Sequence, residues 1–278
     1  KENYAFRKAA KNGHLEILNF LWNWGHHSMG ARNSYVVRAA VEHGHLHVIR
    51  FLKKHGLTRE NVRDLKNYAL GRALSNGNLE ICQFLKDEFQ LTLGDARQVM
   101  WTSNALRDIA VNGHFHVMLW WKNWNNRRAK PEVCQNNKPE VCQNNKLEVY
   151  QEAAGKALVS AAMLGHLKIC QLLKEWVAMD KASGILETGN EALRLAASNG
   201  HLSVCKFLLD WGVIPTGHLM LVGPATNGYL DIIKLLKQYG ASHTLVTNNV
   251  VVQSAHQGHF LVTRFLCDWV LENTGKQN

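Results

Sequence analysis

The sequence predicts an all-α fold, an α-solenoid of about eight helix-turn-helix repeats. A short motif recurs along the chain, as Ala-Lys-Asn-Gly-His-Leu-Glu-Ile at residues 10–17 and as Ser-Asn-Gly-His-Leu-Ser-Val at residues 198–204. Apolar residues around each motif keep a spacing of three and four, which is typical of helices. Because neither helix of one repeat can bury its apolar stripe alone, neighbouring repeats must stack.

Each repeat is centred on a glycine, and these glycines give the order of the elements: Gly13, Gly44, Gly77, Gly113, Gly165, Gly200, Gly228 and Gly258. The residue seven positions before the glycine is always apolar, and the residue four before it is usually alanine. This predicts a first helix with a small-residue face. Apolar residues after the glycine, such as Leu15, Ile17, Phe20 and Leu21, predict a second helix with a broad apolar stripe.

A polar segment lengthens the gap between Gly113 and Gly165. Residues 130–137 are duplicated as residues 138–145. We expect repeats 1–4 over 1–124, a polar insert over 125–155, repeats 5–8 over 156–272 and a tail over 273–278. The insert is expected to form a long loop, with Pro131 and Pro139 preventing one uninterrupted helix. The start at Lys1, without Met or a hydrophobic signal core, is typical of an excised piece of a longer protein.

The repeat core resembles the ankyrin repeat, whose period is about 33 residues. The resemblance rests on Ala9-Ala10-Lys11-Asn12-Gly13-His14-Leu15-Glu16-Ile17 and its later copies. The Thr-Pro-Leu-His opening of that family is absent, so we expect less regular connections between repeats. The variant is similar to repeats of amoebae, their giant viruses and intracellular bacteria. The resemblance implies a protein-binding scaffold or adaptor without a cofactor, including an effector that acts in a host cytosol.

The histidines invite a metal hypothesis, above all His43, His45 and His47, and the pair His114 and His116. A spacing of two is poor for a common ligand face on a helix, and Cys or carboxylate partners at ligand spacing are missing. Histidine also follows the repeat glycine six times, where the resemblance implies a structural hydrogen bond at the start of the second helix. We therefore expect no metal.

Catalytic signatures are missing: the chain has no G-x-S-x-G, G-x-x-x-x-G-K-[ST], G-x-G-x-x-G or H-E-x-x-H motif. Cys82, Cys170 and Cys205 recur at one position of the apolar stripe, where a thiol acts as a small hydrophobe. We expect no enzyme activity within the chain. The sparse cysteines, without a C-x-x-C pair, favour a reducing, cytoplasmic compartment.

An aromatic column follows from the alignment, eleven residues after the glycine. It contains Trp24, Trp124, Trp176, Trp211 and Trp269, joined by His55 and Tyr239. The rings could anchor a partner, or each could cover the end of its second helix and pack on a neighbour. We favour packing. Trp120 and Trp121 occupy core positions of the fourth repeat and are expected to be buried.

The net charge of +10 is concentrated near the start, where residues 1–70 hold 12 Lys and Arg against 5 Asp and Glu. First-helix positions before each glycine should line one face of the array. The predicted partner-binding residues are Arg7, Lys8, Lys11, Arg38, Arg72, Arg107, Asp108 and Arg194. We expect a monomer that binds a protein with an acidic surface. A solvated face with no partner fits the charge equally well.

Two alternatives use other chemistry. The basic repeats could bind nucleic acid or an anionic membrane. Against this, no aromatic residues interleave with the charge as a stacking platform would need, and no basic amphipathic helix stands apart from the repeats. The chain could also be the targeting arm of an enzyme whose catalytic domain lies elsewhere. No apolar run approaches the roughly 20 residues that span a bilayer.

Overall fold

The computed structural model describes residues 4–25, 33–102, 104–126, 140–177, 184–217 and 219–274. These ranges are helical and contain no β-strand. The chain divides into two compact units, Lys1–Ala153 and Ala154–Asn278. A helix precedes and follows each of the eight repeat glycines, so the predicted fold class is confirmed.

Unit 1 holds the first four repeats. Its helices are α1 (Tyr4–Lys11), α2 (Leu15–Asn23), α3 (Asn33–Glu42), α4 (Leu46–Lys54), α5 (Arg59–Ser75), α6 (Leu79–Glu88), α7 (Leu93–Thr102), α8 (Ala105–Val111) and α9 (Phe115–Asn126), followed by the start of α10 (Glu140–Met163). The first helices contact one another in order, α1 with α3, α3 with α5, and α5 with α7 and α8. The second helices α2 and α4, and α6 and α9, are also in contact.

Unit 2 holds the later repeats. It contains the rest of α10, then α11 (Leu167–Val177), α12 (Gly184–Ser198), α13 (Leu202–Asp210), α14 (Val222–Thr226), α15 (Leu230–Gln238), a 3-10 turn (His243–Leu245), α16 (Asn248–His256) and α17 (Phe260–Thr274). The same stacking recurs, with α12 against α14, α14 against α16, α11 against α13 and α13 against α15.

The repeat glycine ends the first helix. At the first repeat, Gly13 has φ +75°, the backbone N–H of His14 donates to the carbonyl of Ala9 at 2.9 Å, and that of Gly13 donates to Ala10 at 3.3 Å. These two bonds make a Schellman cap, in which the left-handed position strongly favours glycine. Ala9 and Ala10 are buried, and their small side chains let α1 and α3 approach closely.

Several connections between repeats are helical. Thr58 caps α5, accepting from the N–H of Asn61 while its own N–H donates to the Asn61 side chain at 3.1 Å. An additional helix, α7, is not predicted by the repeat pattern and begins at a similar pair, Thr92 and Asp95. These capping boxes stabilise the starts of α5 and α7.

The predicted insert is only partly described. Residues 127–139 lie outside the described residues. From Glu140, directly after Pro139, the backbone is helical and continues as α10 into the fifth repeat. Residues 140–155 therefore form a helix and not the loop that we expected.

Candidate partner-binding surface

Histidines after the repeat glycines join neighbouring repeats. The ring Nε2 of His45 lies 2.9 Å from the carbonyl oxygen of Lys11, and that of His201 lies 3.0 Å from the carbonyl oxygen of Met163. Each histidine precedes its second helix without capping it. The predicted structural bond is therefore present at these two sites, but it reaches back to the preceding repeat instead of serving its own helix.

The histidine cluster of the second repeat is held by carbonyl groups. His43 contacts the carbonyl of Ala39 at 3.0 Å through Nδ1, and His47 contacts that of Gly13 at 2.8 Å through Nε2. Burial, aided by the neighbouring histidines, lowers the pKa of His45 despite the opposing bond to Lys11. Within the described residues, no group of three or more His, Cys, Asp or Glu is arranged to hold a metal ion.

An exposed row of tyrosines runs along the first helices of unit 1. Tyr4, Tyr35 and Tyr68 each lie nine residues before a repeat glycine, and 61%, 43% and 37% of their surfaces are exposed. This arrangement corrects the expectation that no aromatic residue is interleaved with the basic charge. The signal was present as tyrosine at one repeat position, but it is visible only when the repeats are aligned.

Basic side chains fill the gaps between these rings. The guanidinium carbon of Arg7 lies 5.1 Å from the ring centre of Tyr35, and that of Arg38 lies 5.9 Å from Tyr35 and 5.8 Å from Tyr68. The ammonium group of Lys8 lies 5.4 Å from the ring centre of Tyr4. These are cation–π distances. The three tyrosines with Arg7, Lys8 and Arg38 are called the tyrosine ladder below.

Two of the predicted arginines are already paired. Arg38 donates to Asp64 at 2.9 Å, and Arg72 donates to Glu42 at 3.3 Å. Both pairs join neighbouring repeats, so part of the charge of each arginine stabilises the stack. Such partly exposed pairs contribute little to stability, but they lower the charge available to a partner.

A groove of about 310 Å³ adjoins the tyrosine ladder. Its lining combines basic, aromatic, acidic and apolar side chains: Lys11, Tyr35, Arg38, Ala39, Glu42, His43, Leu65 and Tyr68. Leu65 has φ +51° within α5 and is 62% exposed. An apolar side chain held in the left-handed region and turned towards solvent gives the groove an apolar contact among its charges.

The other predicted residues are spread over both units. Arg107 is exposed and Asp108 is half-buried, both on α8. Arg194 belongs to unit 2, where it lines a separate groove of about 340 Å³ with Glu191, Thr216 and Leu219 among others. The tyrosine ladder thus unites Arg7, Lys8 and Arg38, adjoined by Lys11, while Arg194 is part of different surroundings.

The aromatic column is largely packed between repeats. Lys174, nine residues after its glycine, lies 5.7 Å from the ring centre of Phe207 and 5.4 Å from that of Trp211 in the next repeat. The same contact recurs for Lys53 with Phe84 and Phe89, Lys86 with Trp124, Lys237 with Phe265 and Trp269, and Trp22 with Phe51 and His55. The packing interpretation holds for these rings.

Some aromatic residues depart from the predictions. Trp121 is buried as predicted, but Trp120 is only half-buried. Trp24 is 65% exposed although its equivalents Trp124 and Trp269 are buried. In the first repeat Phe20 is also 63% exposed, whereas the sequence placed it in the buried stripe. The side chain of Trp176 lies outside the described residues.

The cysteines of the apolar stripe are inert. Cys82, Cys170 and Cys205 are buried with free thiols, as predicted. Burial raises the pKa of Cys170 and Cys205 to about 12 and that of Cys82 still further, so none is a thiolate near neutral pH. Cys267 is also free but exposed. The side chains of Cys134 and Cys142 lie outside the described residues.

Comparison with protein families agrees with this repeat geometry. The family model described as "Ankyrin repeats (3 copies)" matches residues 6–95 and 132–217. The chain belongs to the ankyrin-repeat family. Ankyrin repeats are in general protein-binding modules, and their fold is typically a non-catalytic scaffold. The search of curated proteins found no match to this ankyrin-repeat chain. No helix in the described ranges has the length and hydropathy needed to cross a membrane.

Proposed function

We propose that this ankyrin-repeat chain binds a partner protein through the tyrosine ladder of unit 1, and that the partner presents an acidic surface there. The observation that carries the proposal is the alternation of exposed tyrosines with Arg7, Lys8 and Arg38. Tyrosine and arginine are among the side chains enriched at the centres of protein interfaces. On a face that combines the two, the tyrosine rings supply large contact areas and the arginines supply positive charge.

The available charge lies towards the first repeat. Arg38 and Arg72 have acidic partners, but Arg7, Lys8 and Lys11 have none among the residues that the structure describes. Arg7 is half-buried and Lys8 is exposed. A carboxylate of a partner would form charge-assisted bonds with the accessible parts of these cations. The groove beside Leu65 would receive an apolar side chain of the same partner.

Pull-down from a eukaryotic lysate, followed by mass spectrometry, tests the proposal. Wild type is compared with an Arg7→Glu, Lys8→Glu variant and with Lys234→Glu, which reverses an exposed charge on α15. A true partner is captured by wild type and the control, and lost with the double variant. Charge reversal should act mainly on the association rate and weaken as salt is added. Equal capture by all three proteins would contradict the proposal.

Single-stranded nucleic acid is a second candidate, because interleaved tyrosines and cations also form a stacking platform. A fluorescent oligothymidine tests it directly. A nucleic-acid binder would show log affinity falling linearly with log salt, and Tyr35→Ala would weaken binding. The basic side chains already lie near the tyrosine rings, which favours the protein partner, since a base would have to displace them.

The biological role of the interaction depends on which protein is bound. The same surface would serve a cytoplasmic scaffold, a bacterial effector in a host cytosol or the targeting arm of an enzyme. The identity and cellular location of the captured protein distinguish these roles. An acidic phospholipid vesicle in the same assay tests the anionic-membrane alternative.

A further inference from the structure

A second groove lies in unit 2, beside the middle of α12. Its volume is about 340 Å³, and its walls come from α12 on one side and from the connection between α13 and α14 on the other. The polar lining on α12 is Asn190, Glu191 and Arg194, and the connection supplies Leu219 and Met220 among others. The groove lies wholly within unit 2 and shares no residue with the tyrosine ladder.

The groove forms because the first helix of the seventh repeat is short. α14 has only five residues, and the described residues between α13 and α14 form no helix. Pro215 disfavours helical backbone at the residue before it, and Gly217 has φ +100°, a left-handed conformation that favours glycine. At the base of the connection, Val213 packs against α12, where a Cβ atom on Gly189 would fall 2.8 Å from its side chain. The connection is therefore fixed at its base while the groove stays open beside α12.

The groove is built from the same repeat positions as the groove beside the tyrosine ladder. Glu191 and Leu219 stand nine residues before their repeat glycines, the position that the tyrosines occupy in unit 1. Arg194 stands six residues before its glycine, as Arg38 does in unit 1. In unit 2, a carboxylate and an aliphatic side chain thus replace the aromatic rings. We therefore expect the two grooves to bind different ligands.

The accessible polar groups of the unit 2 groove call for a donor. Glu191 is exposed, and no ion pair joins it to another residue that the structure describes. The Oδ1 atom of Asn190 is buried and accepts no hydrogen bond from the described residues. Arg194 is only half-buried, but the carboxylate is the more accessible of the two charges. A ligand that donates hydrogen bonds and carries positive charge complements this arrangement.

An apolar surface adjoins these acceptors. Leu219 is 49% exposed and Met220 is buried, and both line the groove. An apolar side chain that packs on Leu219 would remove apolar surface of both groups from water, which favours binding. Thr216 and Gly217 complete the lining, and both are exposed and small, so the groove is open on their side.

We propose that the unit 2 groove binds a segment of a partner protein in which an arginine lies next to an apolar residue. The guanidinium group would donate to the Glu191 carboxylate and to Oδ1 of Asn190, because its five N–H donors can serve two acceptors at once. The apolar residue would pack on Leu219. Lysine fits less well, since its ammonium group is a compact and strongly hydrated point charge. This site does not depend on the tyrosine ladder, whose proposed partner surface is acidic.

Arg194 makes the charge preference of the groove testable. It lies one helical turn after Glu191, and its charge would repel an incoming guanidinium group. Arg194→Gln should therefore bind an arginine-containing segment at least as tightly as wild type does. An acidic segment would give the opposite result, because it would bond to Arg194 and be repelled by Glu191.

Peptide display with the purified full chain tests the proposal. Short random peptides are selected on wild type, and the affinity of each selected peptide is measured by fluorescence polarisation. Peptides with arginine beside leucine, isoleucine or methionine should be enriched. Glu191→Gln should weaken their binding by about tenfold or more, the effect of losing a hydrogen bond to a charged group. Because Glu191 is exposed, the Tm of this variant should equal that of wild type.

Matched variants control for position and for the tyrosine ladder. Leu219→Ser should weaken the same peptides by about three- to tenfold, from the loss of a half-exposed apolar contact. Ile214→Ser removes a side chain of the same connection that is 55% exposed but does not line the groove, and it should leave binding unchanged. The Arg7→Glu, Lys8→Glu variant should bind these peptides as wild type does, so failure of the tyrosine ladder proposal would not affect this result.

Three results would overturn the proposal. The first is that no selected peptide loses affinity with Glu191→Gln. The second is that the peptides which depend on this groove are acidic and are lost with Arg194→Gln. The third is that Ile214→Ser weakens binding as much as Leu219→Ser does.

Discussion

The imidazole of His45 occupies the space that a side chain on Gly13 would need. A Cβ atom built on Gly13 falls 2.7 Å from Nδ1 of His45, and the same relationship joins Gly77 to His114 at 2.5 Å. Glycine is therefore required at this turn for two reasons, its φ of +75° and the ring of the next repeat. The second reason makes the turn part of the contact between repeats.

Gly13→Ala should lower the free energy of unfolding by about 2–3 kcal/mol, from left-handed strain and displacement of the His45 ring. Gly258→Ala is the matched control, because Gly258 has φ +77° but no atom within 4 Å of its Cβ position. It should cost only about 1–2 kcal/mol. Urea unfolding measures both values. Equal losses of unfolding free energy would show that the His45 ring moves aside at no cost in stability.

Stability should fall in mild acid through His45. Its folded pKa lies below the unfolded value of 6.5, chiefly because burial disfavours the imidazolium. Below pH 6.5 the unfolded chain takes up a proton that the folded chain resists, so acid favours unfolding. Replacing His45 with Asn, which the third repeat carries naturally as Asn78, should reduce the loss of Tm between pH 7 and pH 5, roughly the range over which histidine titrates. If the His45→Asn variant loses as much Tm between pH 7 and pH 5 as wild type, groups other than His45 cause the loss.

Asp95 should be the most costly carboxylate to remove in unit 1. Only 2% of it is exposed, Thr92 donates to it twice at 2.8 Å, and Arg63 lies 2.8 Å away. Asp95→Ala leaves these donors unsatisfied and should cost about 2–4 kcal/mol in chemical denaturation. Asp268→Ala breaks an exposed pair with Arg264 at 3.8 Å and should cost less than about 0.5 kcal/mol. Similar losses would mean that the buried cluster is replaceable by water.

A double-mutant cycle should detect the contact between Lys174 and Trp211. Lys174→Gln and Trp211→Leu, separately and together, isolate the cation–π energy from the area that each side chain buries. We expect a coupling of about 0.5–1 kcal/mol from thermal or urea unfolding. A control cycle uses Lys206→Gln in place of Lys174→Gln. Lys206 is exposed on α13, and its substitution should show no coupling to Trp211. A coupling energy near zero for Lys174 and Trp211 would mean that the two side chains are close but that no cation–π attraction stabilises the fold.

The repeated core could be read from the sequence because stacking imposes the same demand on every repeat. Apolar residues seven before the glycine, alanines four before it and the buried cysteines all follow from one alignment. The helix α7 was missed because no repeat position predicts it, although Thr92 and Asp95 at a spacing of three are a recognisable helix start.

The surface was harder to predict. Tyr35 and Arg7 are far apart in sequence, and they meet only because α1 and α3 stack in a particular register. The pairing of Lys174 with Trp211 likewise depends on which side of α11 faces α13. Neither contact joins residues that are close together along the chain, so local sequence patterns do not reveal them. Both contacts join fixed positions of neighbouring repeats, so they can be predicted from the repeat alignment.

The nearest-neighbour character of the contacts has a mechanical consequence. His201 reaches the carbonyl of Met163, and Lys174 reaches Trp211, so the bonds described join a repeat only to the one beside it. Among the described residues, none of the bonds given above ties distant repeats together within either unit. Under tension along the chain, each unit would yield repeat by repeat, and its resistance would be set by the weakest local junction and not by the number of repeats.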